Sequence, residues 1–145
     1  MLLSGRGYDI EAMKQRMSAL MTEENLAYGN RTYTYNSRFA QELAKWGESF
    51  LEGEALNLKL FETYFAEGRN LAESEVLLDV AEAVGLPIET AEEVIRQRNF
   101  RDAVDVDWKR ALELGVTGVP TFVSGNRGLV GAQPYEALVQ LIQLD

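Results

Sequence analysis

The sequence predicts an α+β fold, rich in helix and closing on a β-hairpin and a final helix. Three observations predict it. Apolar residues recur every three or four positions through the first three quarters of the 145-residue chain. After Gly115 the period shortens, with β-rich apolar runs at residues 119–123 and at Leu129 and Val130. Gln133 and Pro134 then open another helical pattern, with proline at its first position.

The first helix is expected over residues 9–26, with Ile10, Met13, Met17, Leu20 and Met21 forming its apolar stripe. A polar, turn-like stretch follows through Gly29 and Asn30 to Tyr35. Asn36 suits the N-cap of a helix carrying Phe39, Ala40, Leu43, Ala44, Gly47, Phe50 and Leu51 on one side, broken at Gly53. Residues 54–67 form the next, with Leu58, Phe61, Tyr64 and Phe65, and Gly68 fits its C′ position. Ser74 caps a helix whose inner stripe is Val76, Leu77, Val80, Ala81 and Val84, ended by Gly85. Thr90 with Glu93 reads as a capping box for a short helix bearing Val94 and Ile95. Asn99 caps a helix with Ala103, Val104, Trp108, Ala111 and Leu112, which stops at Gly115. Trp46 and Trp108 are expected to be partly buried on their helices rather than to line a ligand groove. The hairpin is expected to turn through a longer loop, Ser124-Gly125-Asn126-Arg127-Gly128, and the final helix to point Leu138, Leu141 and Ile142 inward. A lone two-stranded sheet is marginal in water. Its free edge therefore predicts a further strand, from more chain or from another copy.

Length gives one domain. The absence of any apolar run near 18 residues argues against a membrane span, and the residues from Met1 to Gly7 lack the basic-then-apolar pattern of a leader. A cytoplasmic location is the resulting expectation. Net charge is −9, and the 14 lysines and arginines are scattered, which argues against a nucleic-acid backbone as partner. With no histidine and no cysteine, Ser-His-Asp and Cys-His catalysis and structural zinc are excluded. Asp102, Asp105 and Asp107 lack calcium-loop spacing and read as surface acids. Gly131-Ala132-Gln133-Pro134 carries no phosphate-loop glycine pattern and reads as a turn before a helix. Arg69 and Arg101 are expected to pair with nearby acids. No metal and no cofactor is implied.

The candidate site is Thr117-Gly118-Val119-Pro120, which leads straight into a short apolar run. From these residues alone, Pro120 reads as a trans proline at a strand's first position, where its missing donor is harmless. The alternative is a cis bond that turns the N–H and C=O of Val119 outward, where an extended peptide pairs with them by strand addition.

The C-terminal segment, LELGVTGVPTFV from Leu112 followed by LVGAQPYE from Leu129, resembles the end of DsbA-like thioredoxin-fold proteins. TYNSRFAQEL from Thr34, YFAEGRN from Tyr64 and LLDVAEAVGL from Leu77 resemble the helical insertion of the bacterial FrnE-like branch, described as dithiol-disulfide isomerases. The resemblance covers nearly the whole chain, from about residue 8 to the end. The resemblance implies a thioredoxin-like fold in one domain, with residues 8–114 as helical insertion and residues 115–145 as the closing β-β-α. It implies a cis bond before Pro120 and a substrate-holding role for Thr117, Gly118, Val119 and Pro120. It also implies a thiol–disulfide oxidoreductase whose Cys-x-x-Cys unit, strand–helix–strand, has no counterpart here, so the chain looks truncated and is expected to be redox-inactive itself. The implied partner is an extended peptide or a thiol substrate protein.

Two other readings stand beside it. One is a non-catalytic module that binds peptide or self-associates through the hairpin edge. The other is a glutathione-dependent isomerase or transferase of the kappa-like branch, disfavoured because Leu129-Val-Gly-Ala-Gln-Pro replaces that branch's aromatic-rich segment.

Overall fold

A computed structural model describes residues 10–143. Within them lie α1 (Ile10–Glu23), α2 (Arg38–Gly47), α3 (Gly53–Phe65), α4 (Ser74–Ala83), α5 (Ile88–Gln97), α6 (Arg101–Glu113), β1 (Thr121–Ser124), β2 (Arg127–Val130) and α7 (Tyr135–Gln143). The chain divides into two compact units, Met1–Val104 and Asp105–Asp145, with the division inside α6. The expected start of the first helix at Asp9 and the reading of Met1 to Gly7 lie outside the described residues.

The first unit is built around α2 and α4. α2 packs on α3, α4 and α5, and α4 packs on α3 and α5. Leu43, Leu56, Leu77 and Val80 are fully buried between them, with Ala40, Leu60, Ala81, Ala91, Val94 and Ile95 completing the core. Each such leucine or valine is worth about 1.5–3 kcal/mol in burial. Trp46 is buried and meets Phe50 edge to face at 4.8 Å. The turn between α2 and α3 is tight because two glycines meet there. A Cβ on Gly53 would lie 2.5 Å from the Gly47 carbonyl oxygen, and one on Gly47 would lie 2.5 Å from Leu56 Cδ2.

One carboxylate sits in this core. Glu42 is 2% exposed. Its Oε1 accepts from Arg38 Nε at 2.9 Å and Arg98 Nη2 at 2.5 Å, and its Oε2 accepts from Arg98 Nε at 3.1 Å. Arg98 ends α5 in the left-handed conformation at φ +58° and lies over the Phe39 ring at 4.8 Å. Arg38 also donates to the Arg101 carbonyl at 2.8 Å. The Arg98 hydrogen bond is the strongest of the influences that hold the Glu42 carboxyl below its ordinary value; burial opposes it and the Arg38 bond reinforces it.

Several boundaries differ from the sequence expectation for local reasons. α1 stops at Glu23 because Asn25 turns left-handed at φ +57° and Leu26 N–H returns to the Met21 carbonyl. Its stripe is not buried: Met13, Met17 and Leu20 are all exposed. Ser37 is the N-cap residue of α2, while Asn36 Oδ1 accepts from the Arg38 N–H at 2.9 Å. Because α2 ends at Gly47, Leu51 leaves its axis and is 99% exposed. α3 buries Leu56, Leu60 and Thr63, and that choice of face leaves Leu58 and Phe61 outside. Glu73, not Ser74, is the N-cap residue of α4. α5 begins at Ile88 behind Pro87, whose carbonyl accepts from Ala91 N–H, so Thr90 lies inside the helix and forms no capping box. Arg69 pairs with Asp79 and Glu67.

In the second unit β1 and β2 pair antiparallel, Thr121 opposite Val130 and Ser124 opposite Arg127. The loop has two residues, not five. Gly125 takes φ +56° at its first position, a conformation glycine adopts without strain. α7 lies against both strands and buries Leu141. Ile142, expected to face inward, and Trp108, expected to be partly buried, are both exposed, as is Leu112.

Substituting Glu42→Gln is expected to cost about 2 kcal/mol, since a buried acceptor pair loses its charge while both guanidiniums keep some access to water. The lowered carboxyl value fixes the pH dependence. The Glu42 contribution is present above the unfolded carboxylate value of about 4.3 and is lost as pH falls through the lower folded value. Urea titrations of both proteins from pH 7 down to pH 3 should show their difference shrinking. Gly53→Ala is expected to lose about 2 kcal/mol against a rigid carbonyl. Gly47→Ala should lose less, because it meets the tip of a side chain.

Candidate functional site

The second unit holds the loop singled out in the sequence. Gly115 leaves α6 at φ +72°, and Val116 N–H closes the helix end on the Ala111 carbonyl at 2.9 Å. Thr117, Gly118, Val119 and Pro120 then run without regular structure into β1, and the Val119–Pro120 peptide bond is cis. The loop is fastened at both flanks of Val119. Thr121 Oγ1 donates to the Gly118 carbonyl at 2.6 Å. Gly131 N–H donates to the Pro120 carbonyl at 2.7 Å, adding one rung beyond the Thr121–Val130 pair. Gln133 Nε2 donates to the Val130 carbonyl at 2.7 Å and secures the strand that supplies that rung.

Val119 lies between these fastenings with neither backbone group engaged. Among the described residues its N–H and C=O have no hydrogen-bond partner, and the residue is 89% exposed. An unpaired donor and acceptor on a fixed, exposed residue beside a strand can accept one more extended backbone. Thr117 is also exposed, and Gly118 has room for a Cβ, whose nearest contact would be Val130 Cγ1 at 3.5 Å. The sequence pointed to residues 117–120. It did not point to Thr121, Gly131 and Gln133, whose contribution depends on hairpin register.

Other clusters serve structure. Glu42 has both oxygens occupied by guanidinium donors and no face open to a substrate. Lys59 is held above its ordinary value first by the hydrogen bond to Glu62 and then by that to Glu67, so it stays a cation. Among the described residues no group of three acidic, histidine or cysteine side chains could hold a metal ion, and no helix is long and apolar enough to cross a membrane. In the first unit an apolar groove of about 860 Å³ is lined by Met21, Leu26, Ala55, Leu58, Phe61 and Phe65 among others. Its polar lining is Asn25, Lys59 and Glu62, and the last two are paired with each other.

Residues 8–143 match the family described as DSBA-like thioredoxin domain. The uncharacterized protein YwbO of Bacillus subtilis (strain 168) is 28% identical over 88 residues, which is 60% of this chain and 44% of that protein. The chain thus matches less than half the length of that relative.

Thr121→Val removes the hydroxyl that ties down the Gly118 carbonyl. Its expected cost is about 1 kcal/mol. Hydrogen exchange should show the Gly131 amide, which donates to the Pro120 carbonyl, losing protection relative to the α7 amides, which should be unchanged.

Proposed function

The chain belongs to the DSBA-like thioredoxin domain family, and on that premise we propose that it serves cytoplasmic thiol–disulfide exchange as the part that holds an extended protein substrate. The observation that carries the proposal is Val119, exposed and unpaired between two fastened neighbours on the loop that enters β1. A substrate strand laid along it gains two backbone hydrogen bonds, with Thr117, Gly118 and Pro120 shaping the approach. The similarity of the helical segments to the FrnE-like branch supports a dithiol-disulfide isomerase as the parent activity.

Exchange itself needs thiols that these 145 residues do not contain. A thiolate must attack one sulfur of the substrate disulfide, form a mixed disulfide and release the other sulfur as a thiolate. The chain alone is therefore redox-inactive, and its share of the reaction is to align the disulfide for a thiolate supplied from elsewhere.

The test pairs a binding measurement with a thiol measurement. Fluorescence anisotropy of a labelled, reduced and alkylated extended peptide should report binding that survives Val119→Ala. Val119→Pro, which deletes the N–H, should weaken it roughly five- to tenfold. Intact mass and alkylation of the native species should find reactive thiols on the same polypeptide or on one bound to it. Equal binding by both variants would remove the site. A native species of 16.3 kDa without any associated thiol would remove the redox role and leave a binding module.

A further inference from the structure

α1 carries an apolar stripe that none of the other described elements covers. Met13, Met17 and Leu20 are 60%, 43% and 39% exposed, and no other helix packs closely on α1 among the described elements. In heptad terms Met13 and Leu20 fall at d and Met17 at a, while Arg16 and Glu23 both fall at the flanking g position. A surface helix with no partner would ordinarily be polar on every side.

We propose that α1 is a self-association seam, pairing antiparallel with α1 of a second copy of this chain. The charges select both the occupant and the direction. Layering Met17 on Leu20 of the second copy brings Arg16 beside Glu23 of that copy, and twofold symmetry repeats the pair with the roles exchanged. A parallel arrangement would set Arg16 beside Met21 and leave both charges unanswered. Within the chain Arg16 and Glu23 have no ion-pair partner among the described residues. Lys14, on the other flank, is drawn aside by a 3.4 Å hydrogen bond to Asn30 Oδ1 and does not oppose the approach. Met21 links the stripe to the apolar groove containing Leu26, Leu58 and Phe61, which extends the surface a second copy can cover. In this register residues 14–23 of the two helices overlap, about three turns, so dimers are expected at micromolar rather than nanomolar chain concentrations.

Sedimentation velocity and light scattering over a concentration series test this directly. The mass should rise from 16.3 kDa toward twice that value. Met17→Glu should abolish the rise. Arg16→Glu and Glu23→Arg should each weaken association roughly tenfold by setting like charges together, and the double exchange should restore it. Arg16 and Glu23 are exposed, so these variants should keep the wild-type far-UV circular dichroism and stay informative even if Met17→Glu disturbs folding. A single-chain mass at every concentration would overturn the proposal. So would a dimer indifferent to the single charge reversals, which would place association elsewhere, such as the hairpin edge, or a double exchange that fails to restore it.

Discussion

Glu42 is the constraint on which the first unit depends. A buried carboxylate is costly unless its lone pairs are answered, and here the donors come from two elements far apart in sequence. Arg38 stands one turn earlier on α2, and Arg98 stands at the end of α5. Leucine and valine contacts around them are non-directional and tolerate small slides. The carboxylate does not, because three hydrogen bonds must meet at two oxygens. It therefore fixes how α5 is rotated against α2. It also explains the left-handed conformation of Arg98, since the helix must stop where its last side chain can turn back onto Glu42 and Phe39. From Arg38 the same network reaches the Arg101 carbonyl at the start of α6.

The second unit achieves order with little burial. Its sheet has two strands, and Phe122, Val123 and Val130 remain substantially exposed. Stability on that scale comes from local fastenings: a glycine turn, α7 against the strands, and side chains such as Thr121 and Gln133 that occupy loop carbonyls. Those fastenings also isolate Val119. With the Gly118 and Pro120 carbonyls taken, its groups are the ones left to meet a partner. The economy of the hairpin and the availability of the site have the same cause.

Much of this was legible in the sequence. Val76, Leu77, Val80 and Ala81 repeat at helical spacing and are buried, and Gly68, Gly85 and Gly115 follow helices at positive φ. What periodicity cannot show is which covering surface exists. Met13 and Met17 form a stripe as regular as that of α4, yet theirs is bare and the other is core. Leu58 and Phe61 lost the competition for the core to Leu56 and Leu60 on the same helix. Thr90 and Glu93 had capping spacing, but Pro87 started the helix earlier. Glu42 could be read locally only as a partner for Arg38, because Arg98 lies 56 residues away. The loop at 117–120 was visible through its residue types; its supports were not, because register alone brings Gly131 to Pro120.

The ionisable groups point to the same division of labour as the loop. Acid–base catalysis requires a group shifted toward neutrality. Glu42 is shifted down and Lys59 up, so each is held more firmly in its charged form. Both shifts arise from hydrogen-bonded partners of opposite charge, which is how a fold uses charge for attachment. The sequence holds no imidazole and no thiol. The recognition proposed for Val119 needs neither. It needs a backbone held in a fixed conformation with its hydrogen-bonding groups free, and Val119 meets that requirement through neighbours whose own groups are occupied.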